Sequence, residues 1–280
     1  MVDRLRGGLM RVTVLGASGM LGHVVARFLT EAGHSVQTPE PRFDPDSPAR
    51  FIESLRITHP ETVINCIGIR AGSPPQALID THIRLVELSL ECLQGSSARF
   101  IQASTDGIFR SDLPARQTRE LADATDDYGQ SKWEAELRVR SAGGLVIRCS
   151  ILGPELRAAA PRSLMGWFLT QRGPVRGFVN HAWNGITTLQ WAMVCQGLLE
   201  ARSPEPVCQP GIWPPIHKAE VLRLIGDTWD WPIEIHPEAA AQPVIRTLTP
   251  DVICPSLKSQ LEELRKWYTP RFPSTPLTAN

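Results

Sequence analysis

The sequence has no excess of charge of either sign. Its 280 residues contain 29 Lys and Arg against 29 Asp and Glu, so the formal net charge at pH 7 is +0. Proteins that bind nucleic acid or anionic lipid usually present a broad basic surface, which this composition does not indicate. We therefore expect a small-molecule partner, and neither nucleic acid nor a membrane.

Long apolar runs and paired cysteines are also lacking. No stretch reaches the roughly 18 uninterrupted apolar residues of a membrane span, and the charged first residues are not followed by the apolar segment of a signal peptide. The six cysteines include no C-x-x-C pair and have no histidines at zinc-ligand spacing. The sequence thus predicts a cytoplasmic protein with reduced thiols, and we assign no metal site.

What is present is the composition of a folded globular chain, with 42% hydrophobic and 21% charged residues. Short apolar runs alternate with helical patterns. Strands are predicted at 12–15, 35–37, 62–67, 99–103 and 145–148, and helices at 20–29, 51–57, 76–93 and 128–140. Because apolar strands separated by helices are typical of a parallel sheet covered on both faces, we predict an α/β, Rossmann-like, doubly wound fold.

A glycine-rich turn separates the first strand from the first helix. Gly16, Gly19 and Gly22 are spaced as G-x-x-G-x-x-G. This spacing allows a tight turn, close approach of a pyrophosphate to the backbone and close packing of helix on strand, while the helix N-terminus attracts phosphate. We therefore predict a dinucleotide site with contacts from six residues of the turn: Gly16, Ser18, Gly19, Met20, Leu21 and Gly22.

The end of the second strand bears on which dinucleotide binds. An acidic residue that holds the ribose 2′-hydroxyl of NAD is expected there, but Gln37, Thr38 and Pro39 occupy the region. Arg42 is close enough in sequence to bind a 2′-phosphate, although it also fits an ordinary solvated loop arginine. We predict NADPH as the cofactor and leave NADH open.

Loss of the strand and helix alternation after Gly153 marks a second region. All eight tryptophans lie at or beyond position 133, and prolines become frequent after position 204. We predict an NAD(P)-binding domain over 10–153 and a smaller C-terminal substrate-binding lobe over 154–280. The segment at about 185–200 is expected to return to the first domain.

Two further motifs carry catalytic chemistry. Tyr128 and Lys132 are four residues apart on a predicted helix, so they share one face. An adjacent ammonium would lower the phenol pKa from its usual value near 10, though such a pair is also common on plain helix surfaces. Ser104, Thr105 and Asp106 directly follow the fourth strand, at the edge where doubly wound sheets bind ligands.

The glycine turn, the run Val63–Asn65, the run Ser104–Asp106 and the run Tyr128–Lys132 resemble, in order and spacing, an extended short-chain dehydrogenase/reductase. Thr105-Asp106 with Phe109 nearby is most similar to the dTDP-4-dehydrorhamnose reductases and related nucleotide-sugar reductases. The resemblance covers about residues 10–200. It implies NADPH-dependent reduction of a keto group on a nucleotide-linked deoxysugar.

The same resemblance implies roles for individual residues. Tyr128 would protonate the developing alkoxide, and Lys132 would lower the Tyr128 pKa and hydrogen-bond the nicotinamide ribose. Thr105 would hold the carbonyl oxygen. We assign further cofactor contacts to Asp44, Cys66 and Ser104, in addition to Arg42, Tyr128 and Lys132. Substrate contacts are assigned to Asp106, Ser150 and Arg176, the last through bidentate hydrogen bonds to a diphosphate, unless it is a solvated surface arginine.

Two positions depart from the pattern. Gly107 stands where dehydratases carry a glutamate and rhamnose reductases usually carry a tyrosine, and Thr81 stands where those reductases have an asparagine. The missing carboxylate disfavours dehydration. The departures leave open a non-catalytic NADP-binding regulatory subunit, and a sugar-nucleotide epimerase or epimerase/reductase is a third possibility. The sugar, the nucleotide and the formation of a homodimer also stay open.

Overall fold

The computed structural model of the chain describes residues 8–156 and 162–273, so the predicted second lobe lies partly outside the described residues. The strands in chain order are β1 (Arg11–Leu15), β2 (Ser35–Gln37), β3 (Thr62–Asn65), β4 (Arg99–Ser104), β5 (Leu145–Arg148), β6 (Ile151–Leu152), β7 (Val175–Phe178), β8 (His181–Trp183), β9 (Ile186–Thr187), β10 (Val207–Cys208), β11 (Pro210–Gly211), β12 (Ile216–His217), β13 (Ile235–Glu238), β14 (Val244–Arg246) and β15 (Val252–Ile253).

The helices are α1 (Gly22–Glu31), α2 (Ala49–Ile57), α3 (Pro75–Leu78), α4 (Leu85–Cys92), α5 (Asp127–Ser141), α6 (Leu164–Phe168), α7 (Thr188–Glu200), α8 (Lys218–Trp229) and α9 (Leu257–Tyr268). A π-helical segment, Ile79–Arg84, joins α3 to α4, and a short 3₁₀ turn, Asp106–Ile108, follows β4. Across residues 8–156 and 162–273, no helix combines the length and the apolar character that a membrane crossing requires.

The main sheet is parallel throughout and has the order β2-β1-β3-β4-β5-β10. Its strands read as nearly continuous apolar runs because helices cover both faces. Helices α1 and α7 pack on one face, and α2, α4 and α5 pack on the other. The predicted α/β doubly wound architecture is confirmed.

The direction in which the sheet is wound reverses beside β1. The chain leaves β1 for β2 on one side and returns to β3 on the other. Ligands of open α/β sheets bind outside the carboxyl ends of the strands at such a reversal. The turn after β1, which begins at Gly16, and the loop after β3, which begins at Cys66, therefore border the expected binding crevice.

The chain beyond Gly153 contributes to both parts of the molecule. Trp191 and Cys195 of α7 pack in the core between α1 and the sheet, while β10, a two-residue strand that the apolar pattern did not predict, pairs with β5. A second core forms around Ile225 of α8 and Leu261 of α9. The division of the chain at residue 153 stays a prediction.

A buried ion pair ties α5 to the sheet. Arg148 at the end of β5 donates from Nη2 to Oε2 of Glu136 on α5 at 2.6 Å, and both side chains are 0% exposed. Arg148 also donates from Nη1 to Oε1 of Gln209 at 2.7 Å, and Ser104 donates from Oγ to Glu136 Oε1. One polar network thus connects the end of β4, the end of β5, helix α5 and the segment after β10.

The first prediction concerns this pair. Replacing Arg148 with Met leaves the Glu136 carboxylate buried without its cation, which is expected to lower the free energy of unfolding by about 3–5 kcal/mol. The double variant Arg148→Met/Glu136→Leu is expected to recover part of that loss. Urea unfolding followed by circular dichroism measures both.

The control is the exposed pair between Arg176 and Glu238, in which the arginine is 70% exposed. Exposed pairs contribute about 0–1 kcal/mol, so Arg176→Met should leave stability nearly unchanged. A loss below about 1 kcal/mol in Arg148→Met would contradict the assigned role of the buried pair.

Candidate active site

The glycine turn after β1 forms a close-packed cradle. Gly16 has φ +81°, in the left-handed region that favours glycine. The Gly19 N–H donates to the Gly16 carbonyl at 2.9 Å. A Cβ at Gly22 would lie 2.2 Å from the Gly16 oxygen. Helix α1 therefore begins directly against the turn, an arrangement that suits a bound diphosphate.

The other predicted residues of the turn lie around this cradle. Ser18 is exposed and Met20 is half-buried. The Leu21 side chain packs in the sheet core, so only its backbone is available to a ligand at this turn. Each of the three assignments stays a prediction.

The structure brings Arg42 to the same turn. Its Nη2 lies 3.5 Å from the Ser18 hydroxyl, and both residues are exposed. Asp44 uses its carboxylate within its own loop, where Oδ1 accepts from the Asp46 N–H at 3.0 Å. Arg42 is thus positioned beside the predicted cofactor turn, while Asp44 stabilises the loop that follows.

Two predicted cofactor contacts lie at the carboxyl ends of neighbouring strands. Cys66 follows β3 and is half-buried as a residue, and burial raises the pKa of its thiol well above the usual value. Ser104 ends β4 and is 4% exposed. Its hydroxyl is directed at Glu136 in the buried network. The position of Ser104 fits the predicted crevice, but its hydroxyl donates to Glu136 within the buried polar network.

Thr105 and Tyr128 meet at the start of helix α5. The two side chains are close neighbours, and Thr105 acts to lower the pKa of the Tyr128 phenol. Thr105 donates from Oγ1 to Asp106 Oδ1 at 3.0 Å and accepts the Gly107 N–H at 3.0 Å. The structure thus brings together two of the three predicted catalytic residues.

Lys132 lies one helical turn after Tyr128, as predicted, and is 6% exposed. Its Nζ donates to the carbonyl of Ala103 at 2.7 Å. Burial, partly offset by Glu136 and then Cys66, lowers the pKa of Lys132 to about 8. The ammonium is therefore largely protonated at neutral pH and lies beneath the ends of the central strands.

In this arrangement the net shift of the Tyr128 pKa is upward, and the lowering of that pKa by Lys132 stays a prediction. Burial raises the pKa of the phenol, and Asp106 and Asp126 raise it further. Thr105 and the charge of Arg246 act in the opposite direction. Lys132 is directed at the Ala103 carbonyl. The hydroxyl of Tyr128 consequently stays protonated at neutral pH.

Close backbone approach explains the position of Tyr128. A Cβ at Gly129 would lie 2.3 Å from the Gly107 carbonyl oxygen and 2.3 Å from the Ala124 Cβ. Asp126 caps the helix by accepting the Gly129 N–H at 2.8 Å. The first turn of α5 can therefore press against the strand-end loop only because residue 129 is glycine.

His82 is a site residue that the sequence analysis missed. The single helix predicted over 76–93 is interrupted by the π-helical segment that contains His82. The His82 ring meets the Tyr128 ring edge-on with 5.6 Å between the ring centroids. Helical periodicity carries no signal for a π-helical segment, although such segments are frequent at functional sites.

The hydrogen bonds of His82 fix its protonation state. Its Nε2 accepts the Ile69 N–H at 3.3 Å, so Nδ1 carries the proton and donates to Ser131 Oγ at 2.9 Å. Ser131 in turn donates to the Tyr128 carbonyl at 2.9 Å. Burial, followed by the charge of Lys132, lowers the pKa of His82 to about 3. His82 is thus a neutral positioning residue.

A cavity of about 450 Å³ opens beside the Thr105 and Tyr128 hydroxyls, and Asp106, Ser150 and Arg246 also line it. Asp106 is 7% exposed, and within the described residues its Oδ2 has no hydrogen-bond partner. The predicted substrate residues Asp106 and Ser150 therefore lie at one cavity.

Arg176, the third predicted substrate residue, is not part of the cavity wall. It is 70% exposed, and its Nη1 lies 3.3 Å from Glu238 Oε1. Arg246 of β14 lines the cavity instead. The sequence analysis missed Arg246 because it lies far along the chain from every motif. Over residues 8–156 and 162–273, no group of three or more His, Cys, Asp or Glu residues is arranged to hold a metal ion.

Comparison with known families agrees with this geometry. The profile of the NAD dependent epimerase/dehydratase family matches residues 12–155, just over half of the chain. The chain belongs to this family. The match confirms the resemblance to the extended short-chain dehydrogenases/reductases, and it covers the glycine turn, Thr105, Tyr128 and Lys132. No curated protein sequence matches the chain significantly.

Solved structures of similar fold include sugar-nucleotide enzymes. A dTDP-4-dehydrorhamnose reductase from Bacillus anthracis, in complex with NADP, has a TM-score of 0.79 at 14% identity, covering 92% of this chain and 99% of that one. A hypothetical dTDP-4-dehydrorhamnose reductase from Sulfolobus tokodaii has a TM-score of 0.73 at 18% identity, covering 89% of this chain and 98% of that one. The UDP-glucose 4-epimerase of Thermotoga maritima, with UDP-glucose, has a TM-score of 0.71 at 15% identity, covering 93% of this chain and 99% of that one. These likenesses show the shared fold.

The second prediction tests the glycine cradle. In Gly22→Ala the new Cβ would meet the Gly16 oxygen at 2.2 Å, so the turn must open and nicotinamide cofactor binding is expected to be lost. Gly19→Ala, with its Cβ 3.2 Å from the same oxygen, should fold and bind more weakly. Fluorescence titration with NADPH measures both.

Gly197 of α7 provides the matched control, because a Cβ there meets nothing within 4 Å. Gly197→Ala should bind the cofactor like the unchanged chain. Equal NADPH affinity in Gly22→Ala and Gly197→Ala would contradict the assignment of the turn as the cofactor cradle.

Proposed function

We propose that this chain is an NADPH-dependent reductase of a keto group on a nucleotide-linked sugar, with deoxysugars as the class that the resemblance implies. The observation that carries the proposal is that Tyr128 and Thr105 line one cavity, with Lys132 one turn along the same helix as Tyr128. Membership of an NAD dependent family and the similar fold of a rhamnose reductase solved with NADP support it.

The residues present fit a nicotinamide dinucleotide. The cradle of Gly16, Gly19 and Gly22 leaves space that a Cβ would fill, and it lies at the start of α1, where free N–H groups attract phosphate. Arg42 lies beside this cradle and would hold a 2′-phosphate, which is the basis for NADPH over NADH. When bound, the reduced nicotinamide supplies the hydride for the ketone carbon.

The chain's own residues act on the oxygen of that ketone. The Tyr128 hydroxyl donates a hydrogen bond to the carbonyl oxygen, and Thr105 helps to hold this oxygen where negative charge develops. The phenol O–H bond then breaks as the alcohol O–H bond forms, which leaves Tyr128 as a phenolate. Lys132, one turn along the helix and largely protonated, favours that phenolate electrostatically.

The pKa of Tyr128 is compatible with the reduction that we propose. A phenol whose pKa is raised by burial is present in its protonated form at neutral pH and can donate a proton to an alkoxide. Abstraction of a proton from an alcohol, with which an oxidative epimerisation begins, requires the phenolate instead. The direction of the pKa shift therefore supports proton donation as the role of Tyr128.

The Gly107 departure does not disturb the reacting pair. Thr105 and Tyr128 both line the cavity beside Gly107, and Lys132 lies on the same helix as Tyr128. A regulatory subunit without catalysis would not need this arrangement. We therefore propose that Gly107 changes the contacts of the substrate and leaves the proton donor in place.

The third prediction tests the proton donor. Tyr128→Phe should abolish NADPH oxidation on a panel of keto nucleotide sugars while leaving NADPH affinity nearly unchanged. Thr105→Val should lower kcat by about 10²-fold or more, because a donor to the developing oxyanion is lost. Thr105→Ser, which keeps the hydroxyl, should recover most of this activity. Turnover by Tyr128→Phe equal to that of the unchanged chain would contradict the mechanism.

The fourth prediction concerns cofactor choice. Arg42→Gln removes the cation proposed for the 2′-phosphate and should weaken NADPH binding by about tenfold or more, since one charge-assisted hydrogen bond is lost. NADH affinity should not change. Arg56→Gln, at the end of α2 and paired with Glu53, is the control. Equal weakening of both cofactors by Arg42→Gln would contradict the proposed contact.

A further inference from the structure

Gly107 lies where the reacting pair and Arg246 come close together, and all four residues line the cavity. A Cβ at position 107 would lie 3.1 Å from Tyr128 Cε1, 3.3 Å from Thr105 Oγ1 and 3.4 Å from Arg246 Nη1. The Arg246 guanidinium also lowers the pKa of Tyr128 by its charge. A cation from the second part of the chain is therefore within close range of the proton donor.

No group in residues 8–156 and 162–273 neutralises this cation. Arg246 is half-buried, yet none of the ion pairs and side-chain hydrogen bonds of the described residues involves its guanidinium. By contrast, Arg116 pairs with Glu120 and Asp123, and Arg148 pairs with Glu136. The guanidinium of Arg246 is therefore available to a ligand at the cavity wall, and its planar fork of N–H donors matches a carboxylate.

The acidic residues of the same cavity do not take this role. Asp126 accepts the Gly129 N–H as a helix cap, and Asp127 is exposed. Asp106 accepts from Thr105 through Oδ1 and keeps Oδ2 without a partner among the described residues. The cavity wall thus presents an unpaired cation and an unpaired carboxylate oxygen at separate points, which suits a ligand with an acid group and a hydroxyl.

We propose that Arg246 binds a carboxylate on the sugar, next to the carbon whose oxygen meets Tyr128. This inference rests on the proposed function, and within it a nucleotide-linked keto sugar that bears an acid group takes the place of the deoxysugar. The nucleotide diphosphate offers a similar oxyanion. A carboxylate fits better because Arg246 lines the cavity beside Tyr128 and Thr105, which would face the reacting carbonyl, whereas the sugar ring separates that carbonyl from the diphosphate.

The test compares sugar nucleotides that differ only in the acid group. UDP-glucuronate and UDP-glucose form one matched pair, and dTDP-glucuronate and dTDP-glucose form another. Calorimetric titration of the full chain with saturating NADP⁺ should give at least about tenfold tighter binding of the acid in one pair or both. Arg246→Leu should remove this preference and leave the affinity for the neutral sugar nearly unchanged.

Arg223→Leu on α8 is the control, since Arg223 is 58% exposed and pairs with Glu220 and Asp227. It should keep the preference for the acid. Unchanged NADPH affinity and thermal unfolding of Arg246→Leu verify that this variant is folded.

Three results would overturn the inference. The unchanged chain could bind acid and neutral sugars equally, or Arg246→Leu could keep the preference for the acid. The third is equal weakening of acid and neutral sugars in Arg246→Leu, which would assign Arg246 to the diphosphate. A chain that binds NADPH but none of the four sugar nucleotides would overturn the proposed function itself.

Discussion

The buried ion pair between Arg148 and Glu136 determines how the reacting groups are presented. Tyr128, Lys132 and Glu136 follow one another at four-residue spacing on α5, so they share one face of the helix. Glu136 is anchored to Arg148 at the end of β5 with both side chains 0% exposed. Because this contact sets the rotation of the helix, it also directs the other two side chains towards the strand ends.

The same ion pair also affects the pKa values of Lys132 and His82 in the site. Glu136 raises the pKa of Lys132 and so offsets part of the lowering that burial causes. Lys132 in turn lowers the pKa of His82, which is already depressed by burial. One structural anion thus keeps the lysine largely charged, and the lysine helps to keep the neighbouring imidazole neutral. The polar network contributes orientation and charge placement, while buried pairs of this kind contribute little net stability.

The features that sequence could predict are those carried by local pattern. Apolar runs predicted the parallel sheet because strands covered on both faces contain few polar residues. The spacing of Gly16, Gly19 and Gly22 predicted the cradle because backbone approach at such distances excludes a Cβ. The spacing of Tyr128 and Lys132 predicted a shared helix face. In each case the physical cause acts over a few neighbouring residues.

The features that sequence could not predict depend on contacts between distant segments. Strand β10 has two residues, too few for periodicity, and is defined by its pairing with β5. The π-helical segment that carries His82 is defined by hydrogen-bond register, and its side-chain pattern still reads as a helix. The direction of the Tyr128 pKa shift follows from burial and from Asp106, Asp126 and Arg246, which a local tyrosine and lysine motif does not reveal.

The two sides of the site therefore come from different parts of the chain. The proton donor and the cradle belong to short motifs of the sheet, where glycine at 129 permits the close approach that fixes Tyr128. The opposite wall receives Arg246 from β14, a strand paired with β8 outside the main sheet. Beside Gly107, the Arg246 side chain from that distant strand comes close to the reacting pair. Substrate choice can therefore change through residues such as Arg246 while the catalytic motif stays the same, and the motif alone identifies the chemistry more readily than the sugar.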